Sequence, residues 1–263
     1  MLIATYNVNS INARLENLTA WLKTEQPDVV LLQEIKTEFN SFPFFELQTL
    51  GYEAKIIGQK SYNGVAILSR RKLQNVVEGL PNLHDEQARY IEADIEVDNV
   101  MYRVASIYLP NGNPPYNNPD DDSRYDYKLK WMDALYVRAQ QLLQLRRPVI
   151  LGGDFNAILT DFDVYDPELF KHNALFREEV KQRMYALQYL GYYDVFRQLH
   201  PDNNGYTYWD YAGAALVNDL GMRIDYLLMS PDAVDRLQSV EVDKTPRQAD
   251  KPSDHTVLKA ILK

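Results

Sequence analysis

The chain has 263 residues, of which 46% are hydrophobic and 12% aromatic, a composition that suits one large packed domain or two small ones. It has no cysteine and no run of about 18 apolar residues, so disulfides, thiolate metal sites and a membrane span are not expected, and a reducing cytoplasm is the expected compartment. The net charge of −9 argues against a simple DNA-coating protein, which is usually basic, but it permits an enzyme that meets nucleic acid with a local basic rim.

Short apolar strands dominate the first part of the chain. Residues 2–8 predict a buried strand and not a signal peptide, because no basic segment precedes the apolar residues. Helical spacing over 11–22 predicts a helix, with Ser10 as N-cap and Pro27 as its break. Period-two alternation makes the strand at 89–97 half-buried, and the strands at 52–57 and 64–68 are expected to pair. The remaining strands expected here are 29–32 and 100–109.

Helices and strands occur in groups in the second part of the chain. Residues 110–122 hold four prolines and predict a long loop after a core strand, a common place for function. Because helices lie between groups of strands and not after every strand, the pattern favours a mixed-sheet α/β sandwich in a single domain, 1–263. The helices expected are 129–145 and 175–190, and the strands are 149–151, 207–211, 224–229, 240–242 and 256–262. Gly191 is expected to end the helix at 175–190.

The segment Gly152–Asn156 carries the clearest chemical signal. It follows the apolar run 149–151, so its glycines are expected to turn the backbone where a buried strand ends. Asp154 could then take a proton or bind a metal, and Asn156 could donate to a developing oxyanion while staying neutral. Asp and Asn are also common in ordinary loops, so this segment alone does not decide between a site and a loop.

Other predicted strands also end in polar residues. Asn7 and Glu34 follow the first two strands, Tyr108–Asn111 follows a later one, and Ser253–His255 precedes the last. Asp225 lies inside an apolar run, where a carboxylate needs a partner, and the histidine of the last segment is the natural one. Oxygen donors of this kind favour a hard cation such as Mg²⁺ or Mn²⁺. Only four histidines exist, none at helical i, i+4 spacing, so a zinc site is not expected.

Six motifs in a fixed order carry a resemblance to a known family. They are Thr5-Tyr6-Asn7-Val8-Asn9, Leu32-Gln33-Glu34-Ile35-Lys36, Tyr108-Leu109-Pro110-Asn111-Gly112, Gly153-Asp154-Phe155-Asn156, Arg223-Ile224-Asp225-Tyr226 and Ser253-Asp254-His255. With them the chain resembles the exonuclease III family of abasic-site DNA repair nucleases, within the endonuclease/exonuclease/phosphatase superfamily, over nearly its whole length. The resemblance implies a four-layer α/β sandwich, in which two packed mixed sheets are flanked by helices and a metal site lies at one end.

The resemblance also implies an activity. It implies Mg²⁺- or Mn²⁺-dependent hydrolysis of the phosphodiester on the 5′ side of abasic sites. It further implies 3′→5′ exonuclease and 3′-phosphatase or phosphodiesterase action on duplex DNA. The expected partner is therefore duplex DNA with abasic or damaged 3′ ends. No membrane partner is expected, and the protein is expected to be a monomer.

Residue roles follow from the same resemblance. Glu34 is expected to be the principal metal ligand. Asp154 is expected to be the general base, with His255 as the alternative, and Asn156 to donate to a phosphate oxygen. The expected metal site comprises Asn7, Glu34, Asp154, Asn156, Asp254 and His255. The expected catalytic residues are Tyr108, Asn111, Asp154, Asn156, Asp225 and His255.

Substrate contacts are expected around a small apolar pocket for a base-free sugar. Tyr208, Met222 and Ile224 align with that pocket, with Trp209 beside them, although ordinary core packing would give the same pattern. Lys36 and Lys251 are the basic residues expected to contact DNA most directly, since both lie near proposed site residues in the sequence. The other basic residues that could meet the DNA backbone are Arg70, Arg71, Lys72, Arg124, Lys128, Lys244 and Arg247.

Two other functions use the same residues. The first is another phosphodiesterase or phosphatase of the superfamily that acts on a non-DNA phosphate, such as a lipid or inositol phosphatase or an RNA deadenylase. The second is a non-catalytic binding module that kept the fold. The clustered acids argue against the second, because a module without catalysis has no physical need for them.

Overall fold

Two six-stranded mixed sheets form the centre of the molecule in the computed structural model, which describes residues 1–263. The strands are β1 (Leu2–Asn7), β2 (Val29–Gln33), β3 (Glu53–Ile57), β4 (Val65–Ser69), β5 (Gln74–Glu78), β6 (Tyr90–Val97), β7 (Val100–Tyr108), β8 (Val149–Asp154), β9 (Tyr193–Asp194), β10 (Tyr208–Trp209), β11 (Gly221–Met222), β12 (Asp225–Met229), β13 (Leu237–Asp243) and β14 (Val257–Leu262). The helices are α1 (Leu15–Glu25), α2 (Phe44–Thr49), α3 (Ser123–Leu143), α4 (Pro167–Phe170), α5 (Glu178–Leu190), α6 (Val195–Leu199) and α7 (Pro231–Val234). None of the helices has the length and apolar character needed to cross a membrane.

Each sheet contains one parallel pair of strands at its centre. Sheet 1 has the order β13-β14-β1-β2-β4-β3, with β1 and β2 parallel. Sheet 2 has the order β5-β6-β7-β8-β12-β9, with β7 and β8 parallel. The last residues of the parallel strands are register partners, Asn7 with Gln33 and Tyr108 with Asp154. Parallel strands end at the same edge of a sheet, so each sheet presents two adjacent strand ends.

The sequence pattern of β1 and β2 explains why the sheets stack in layers. Ile3 and Leu31 point into the core between the two sheets, whereas Ala4 and Leu32 point into an outer core beneath α1. Strands covered on both faces must be apolar at nearly every position, as these are. Helices α3 and α5 cover the outer face of sheet 2 in the same way. The result is the four-layer α/β sandwich of two mixed sheets flanked by helices that the sequence predicted.

Several predicted elements differ from the structure. The first helix begins at Leu15 and not at residue 11, since Ser10 has a φ of 84° and Arg14 is the N-cap. The strand at 89–97 is buried on both faces except at Glu96, and not half-buried, because two of its acidic residues, Glu92 and Asp94, form ion pairs with Arg103. The predicted pairing of 52–57 with 64–68 is confirmed as β3 with β4. Strand β5 carries too little apolar alternation to be predicted.

The first residues of two helices also differ from the prediction. Helix α3 begins at Ser123, six residues before the prediction, and α5 begins at Glu178, three residues after it. Gly191 ends α5 in the left-handed conformation, as predicted. The amphipathic stripes located the helices correctly, but polar residues at the helix starts carry no periodic signal.

The prediction that Gly152 and Gly153 turn the chain is wrong. Both lie inside β8, which continues to Asp154. A Cβ atom on Gly153 would lie 1.9 Å from the carbonyl oxygen of Ile107 in β7, and one on Gly152 would lie 2.5 Å from Leu31 of the opposite sheet. The glycines are therefore required for close packing against the adjacent strand and the facing sheet. The chain turns two residues later, at Asn156, where φ is 44°.

Candidate active site

The strand ends of both sheets converge on one cavity of about 570 Å³. Sheet 1 contributes Glu34, which follows β2, and sheet 2 contributes Asp154, the last residue of β8. The long loop after β7 and the segment before β14 complete the wall. Among the residues that line this cavity are Glu34, Tyr108, Asn111, Asp154, Asn156, Tyr208, Met222, Ile224, Asp254 and His255. Ten of the sequence-predicted site residues therefore meet in one place.

Several residues at these strand ends have a left-handed backbone conformation, which sets the direction of their side chains. Asn9, Glu34, Lys36 and Asn156 all follow a strand and all have φ between 44° and 50°. A non-glycine residue in this region carries strain of about 1–3 kcal/mol, and such residues cluster at functional sites. Hydrogen bonds from the backbone N–H groups of Val8, Ser10 and Ile11 to the carbonyls of Gln33, Glu34 and Ile35 hold the segments after β1 and β2 together.

One asparagine joins the two carboxylates at the centre of the cavity. Asn7 Nδ2 donates to Glu34 Oε1 and to Asp154 Oδ2, each at 2.9 Å. Asn7 Oδ1 accepts from the Asn9 backbone N–H at 3.0 Å, so the nitrogen and not the oxygen of this amide faces the site. In this conformation Asn7 orients the two carboxylates, and it does not offer an oxygen ligand as the sequence had predicted.

The ligand atoms of Glu34, Asp154 and His255 lie within 4.8 Å of one another. Asp254 is not part of this group, although it lines the same cavity, and its Oδ1 accepts from Asn9 Nδ2 at 3.0 Å. Carboxylate oxygens suit a hard divalent cation. A cation between Glu34 and Asp154 would also offset two negative charges that a partly buried site otherwise brings close together.

Lys36 forms an ion pair with Glu34 and a hydrogen bond with Asn9. Lys36 Nζ lies 2.7 Å from Glu34 Oε2 and donates to Asn9 Oδ1 at 2.6 Å. Burial opposes the ionised form of Glu34, but the charge of Lys36 and the hydrogen bond from Asn7 outweigh it and lower the pKa of this carboxyl. Asn9 thereby links Lys36 to Asp254. Sequence reasoning missed Asn9, although it stands in the first motif two residues after Asn7.

The predicted pair of Asp225 and His255 is present. His255 Nδ1 lies 2.8 Å from Asp225 Oδ2, and its Nε2 lies 3.7 Å from Asp154 Oδ2. Burial alone would lower the pKa of His255, but the charges of Asp225 and Asp154 outweigh burial and raise it to about 10. The imidazole is therefore protonated at neutral pH and can donate from Nε2 into the cavity.

Asp154 has the opposite environment. Burial strongly raises the pKa of Asp154. The charge of His255 opposes this rise, and the charges of Asp225 and Glu34 add to it. Its Oδ1 accepts from the Asn156 backbone N–H at 2.9 Å, which fixes the orientation of the carboxylate. A carboxylate with a raised pKa accepts a proton near neutral pH more readily than an ordinary one.

Tyr108 keeps its proton under the same influences. Burial and the charges of Glu34 and Asp154 raise its pKa well above the usual value. The Arg89 guanidinium lies 4.8 Å from the centre of the Tyr108 ring and donates to its backbone carbonyl at 3.2 Å, which holds the ring in place. The phenol is therefore a hydrogen-bond donor at the cavity wall.

The two predicted phosphate-binding asparagines contact each other. Asn111 Nδ2 donates to Asn156 Oδ1 at 3.1 Å, and Asn156 Nδ2 donates to the Leu109 carbonyl at 2.9 Å. A primary amide has two N–H groups, so each of these amides keeps a second N–H for another acceptor. Lys128 Nζ donates to the backbone carbonyls of Asn111 and Asn156 from below.

The apolar wall of the cavity contains three of the four predicted pocket residues. Met222 pairs with Tyr208 in β10–β11, and Ile224 lies next to Asp225. The Tyr208 ring packs edge-on against His255, with the ring centres 5.0 Å apart. Trp209 is a correction: its side chain is fully buried, and its Nε1 donates to Asp219 at 3.0 Å. It supports the site from beneath, because its backbone N–H donates to the Asp254 carbonyl at 2.9 Å.

Several of the basic residues lie where they cannot meet DNA bound at the cavity. Lys128 and Arg247 are buried beneath the site and donate to backbone carbonyls. Arg70, Arg71 and Lys72 follow β4, whose last residue pairs with the first residue of β2, so they lie at the opposite end of sheet 1 from Glu34. Sequence distance does not reveal which end of a strand a turn occupies.

The other basic residues are more exposed. Lys251 lies in the exposed segment before Asp254 and does not line the cavity. Lys244 is exposed above the Trp209 ring, and Arg124 lines a neighbouring groove that shares Asn111 with the cavity. Of the two basic residues expected to contact DNA most directly, the structure places only Lys36 beside a site carboxylate.

Comparison with known proteins gives a consistent assignment. The family model for the Endonuclease/Exonuclease/phosphatase family matches residues 4–255. Exodeoxyribonuclease III of Haemophilus influenzae is 30% identical over the full length of both chains. An AP endonuclease from Archaeoglobus fulgidus has a TM-score of 0.92 at 34% identity, covering 100% of this chain and 99% of that one. The 3′ phosphatase NExo from Neisseria, solved with a product DNA hairpin, has a TM-score of 0.92 at 37% identity, with the same coverage.

Proposed function

Because the chain belongs to the Endonuclease/Exonuclease/phosphatase family, we propose that it is a metal-dependent DNA repair nuclease. It hydrolyses the phosphodiester on the 5′ side of abasic sites in duplex DNA, and it acts on 3′ ends as an exonuclease and 3′-phosphatase or phosphodiesterase. Relatives named exodeoxyribonuclease III, AP endonuclease and 3′ phosphatase support this range of activities. Residues 1–263 act as one catalytic domain and as a monomer in the cytoplasm.

A single observation carries the proposal. The carboxylates of Glu34 and Asp154 lie in the same cavity as the donors His255, Tyr108 and Asn156. A phosphate ester bound there would meet a cation site on one side and neutral or positive donors on the other. This is the arrangement that phosphoryl hydrolysis requires, because negative charge develops on the phosphate oxygens in the transition state.

The donor set fits Mg²⁺ or Mn²⁺. Glu34 would be its principal ligand, and Asp254, which lines the same cavity, would contribute directly or through water. When bound, such a cation supplies positive charge that offsets the charge of the scissile phosphate and of the leaving oxygen. Lys36 forms an ion pair with Glu34 and so offsets part of its negative charge whether or not the cation is bound.

The raised pKa of His255 favours Asp154 over His255 as the base. A protonated imidazole cannot accept a proton, and the pKa of His255 is raised to about 10. Asp154, whose pKa is raised by burial, is therefore the base that takes a proton from the attacking water. The water oxygen bonds to phosphorus as the bond from phosphorus to the leaving oxygen breaks. His255, Asn156 and Tyr108 donate hydrogen bonds to the phosphate oxygens during this step.

The apolar wall provides selection for damaged DNA. Tyr208, Met222 and Ile224 line the same cavity as Glu34 and Asp154. A pocket of this type accepts a sugar without a base and excludes an intact nucleotide by its size. The same wall can hold a frayed 3′ terminus, which accounts for action on 3′ ends.

One assay tests the proposal against its alternative, a phosphodiesterase or phosphatase acting on a non-DNA phosphate. The protein is incubated with a duplex carrying one abasic analogue, with a nicked duplex ending in a 3′ phosphate, with inositol phosphates and with oligoadenylate RNA. We expect incision 5′ to the lesion and release of the 3′ phosphate with Mg²⁺ or Mn²⁺, and neither with EDTA. Absence of both DNA reactions with turnover of inositol phosphate or RNA would establish the alternative.

A further inference from the structure

Four cationic side chains are less than one-tenth exposed: Arg103, Lys128, Arg223 and Arg247. Arg103 and Arg223 each form ion pairs with two acidic residues. Lys128 and Arg247 form no ion pair and donate to backbone carbonyls instead. A buried charge is costly unless hydrogen bonds or a counter-charge compensate it, and at these two positions backbone carbonyls supply the compensation. The segments that carry these carbonyls are therefore held by the cation.

Lys128 lies on α3 and is completely buried beneath the cavity floor. Its Nζ donates to the Asn111 carbonyl at 2.9 Å and to the Asn156 carbonyl at 2.6 Å. These carbonyls belong to the two segments that follow the parallel strands β7 and β8. One ammonium group therefore joins the two loops that carry the phosphate-facing amides.

The stem of Lys128 fixes the first of these loops by packing as well. A Cβ atom on Gly112 would lie 2.6 Å from Lys128 Cδ, and Gly112 has a φ of 85°. Only glycine fits at this position without moving the lysine stem. The loop after β7 thus packs directly against the stem of Lys128.

We propose that Lys128 is a positioning residue that holds Asn111 and Asn156 at the distance where their amides can grip one phosphate. Because Lys128 holds the two loops at this distance, the side chains of Asn111 and Asn156 form a hydrogen bond of 3.1 Å. The catalytic consequence rests on the proposed function.

Lys128→Met tests the inference, since methionine keeps most of the stem and removes the ammonium group. Lys130→Met is the matched control, because Lys130 lies on the same helix and is exposed. Hydrogen–deuterium exchange is measured for 109–113 and 155–158 without any substrate. We expect exchange roughly tenfold faster in Lys128→Met, through local opening of the two loops, and no change in Lys130→Met.

Kinetics on the abasic duplex give the second readout. For Lys128→Met we expect kcat to fall about 30- to 100-fold, the size of effect that follows misplacement of a group by about 1 Å. KM should stay within about threefold, because the loss is confined to the transition state. Lys128→Arg, which keeps the charge and the donors, should recover part of kcat.

Unchanged loop exchange together with a kcat within about threefold of the parent would overturn the positioning role. If Lys128→Met does not fold, Lys128→Gln replaces it and is judged by the same two measurements. If the parent protein cuts none of the DNA substrates, the proposed function fails. The exchange measurement then still decides whether Lys128 holds the two loops.

Discussion

Asn7 Nδ2 donates to Asp154 Oδ2 at 2.9 Å and so joins the last residue of β1 in one sheet to the last residue of β8 in the other. The same nitrogen donates to Glu34 at 2.9 Å. The relative placement of the proposed metal ligand, Glu34, and the proposed base, Asp154, therefore depends on one amide.

Removal of that amide should uncouple the two carboxylates. Asn7→Ala is expected to lower kcat by about 10- to 100-fold, because each lost hydrogen bond to a charged group is worth about 1.5–3 kcal/mol. Thermal unfolding and steady-state kinetics on the abasic duplex provide the measurement. Asn12→Ala is the control: its side chain donates to Thr37 and Ser41 and not to the carboxylates, so its kcat should match that of the parent. Parent-like kcat in Asn7→Ala would show that the carboxylates hold their positions without it.

Glu34→Gln should weaken metal binding while preserving the fold. The amide keeps the shape of the side chain but lacks the negative charge that a hard cation requires. Calorimetric titration with Mn²⁺ should show an affinity lower by about tenfold or more, on the scale of one lost charge interaction of about 1.4 kcal/mol. Glu38→Gln, an exposed glutamate nearby in the sequence, is the control. Equal affinity in the two variants would remove Glu34 from the metal site.

Asp154→Asn should abolish turnover and spare DNA binding. The amide can keep the hydrogen bond from the Asn156 backbone N–H but cannot take a proton from water. General-base catalysis contributes about 10²–10⁴-fold, and we expect a loss of that size in kcat. Fluorescence anisotropy with a labelled abasic duplex should give a Kd within about threefold of the parent. Retained turnover would reassign the base to another group.

The His255–Asp225 pair should make stability depend on pH on the alkaline side. The pKa of His255 is raised from 6.5 to about 10 in the fold, so protonation stabilises the folded protein fully below about pH 6.5, and this contribution is lost as pH rises through about 10. Urea unfolding in EDTA across this range should show a falling free energy of unfolding in the parent.

Asp225→Asn removes the charge that contributes most to raising this pKa and should flatten that pH dependence. Titration of the His255 ring by NMR provides the direct check, with its midpoint moving towards the ordinary value of 6.5 in the variant. A midpoint that stays near its parent value would mean that Asp225 does not control the proton.

Trp209 should act on stability and not on DNA affinity. Its ring is fully buried and its Nε1 donates to Asp219 at 3.0 Å. Trp209→Phe loses this hydrogen bond and part of the packing, and we expect a loss of about 1–3 kcal/mol in the free energy of unfolding. KM for the abasic duplex should not change. A large rise in KM with unchanged stability would restore Trp209 as a substrate contact.

The sequence determined much of this protein by itself. Apolar periodicity located every strand of both sheet centres, since burial on both faces leaves a direct mark on composition. The types of residue at the strand ends, above all Asp154, Glu34 and His255, defined the available chemistry before any geometry was known. The partner of Asp225 followed from the cost of burying a lone carboxylate in an apolar run.

Only the tertiary structure decided how these residues act together. Asn7 and Asp154 are 147 positions apart, and no local pattern reveals that the amide nitrogen of one faces the other. The buried positions of Lys128 and Trp209 were equally hidden, because a charged or aromatic residue looks the same in a sequence whether it faces solvent or the core. Contacts between distant segments depend on chain topology and packing, and these arise only when both sheets are assembled.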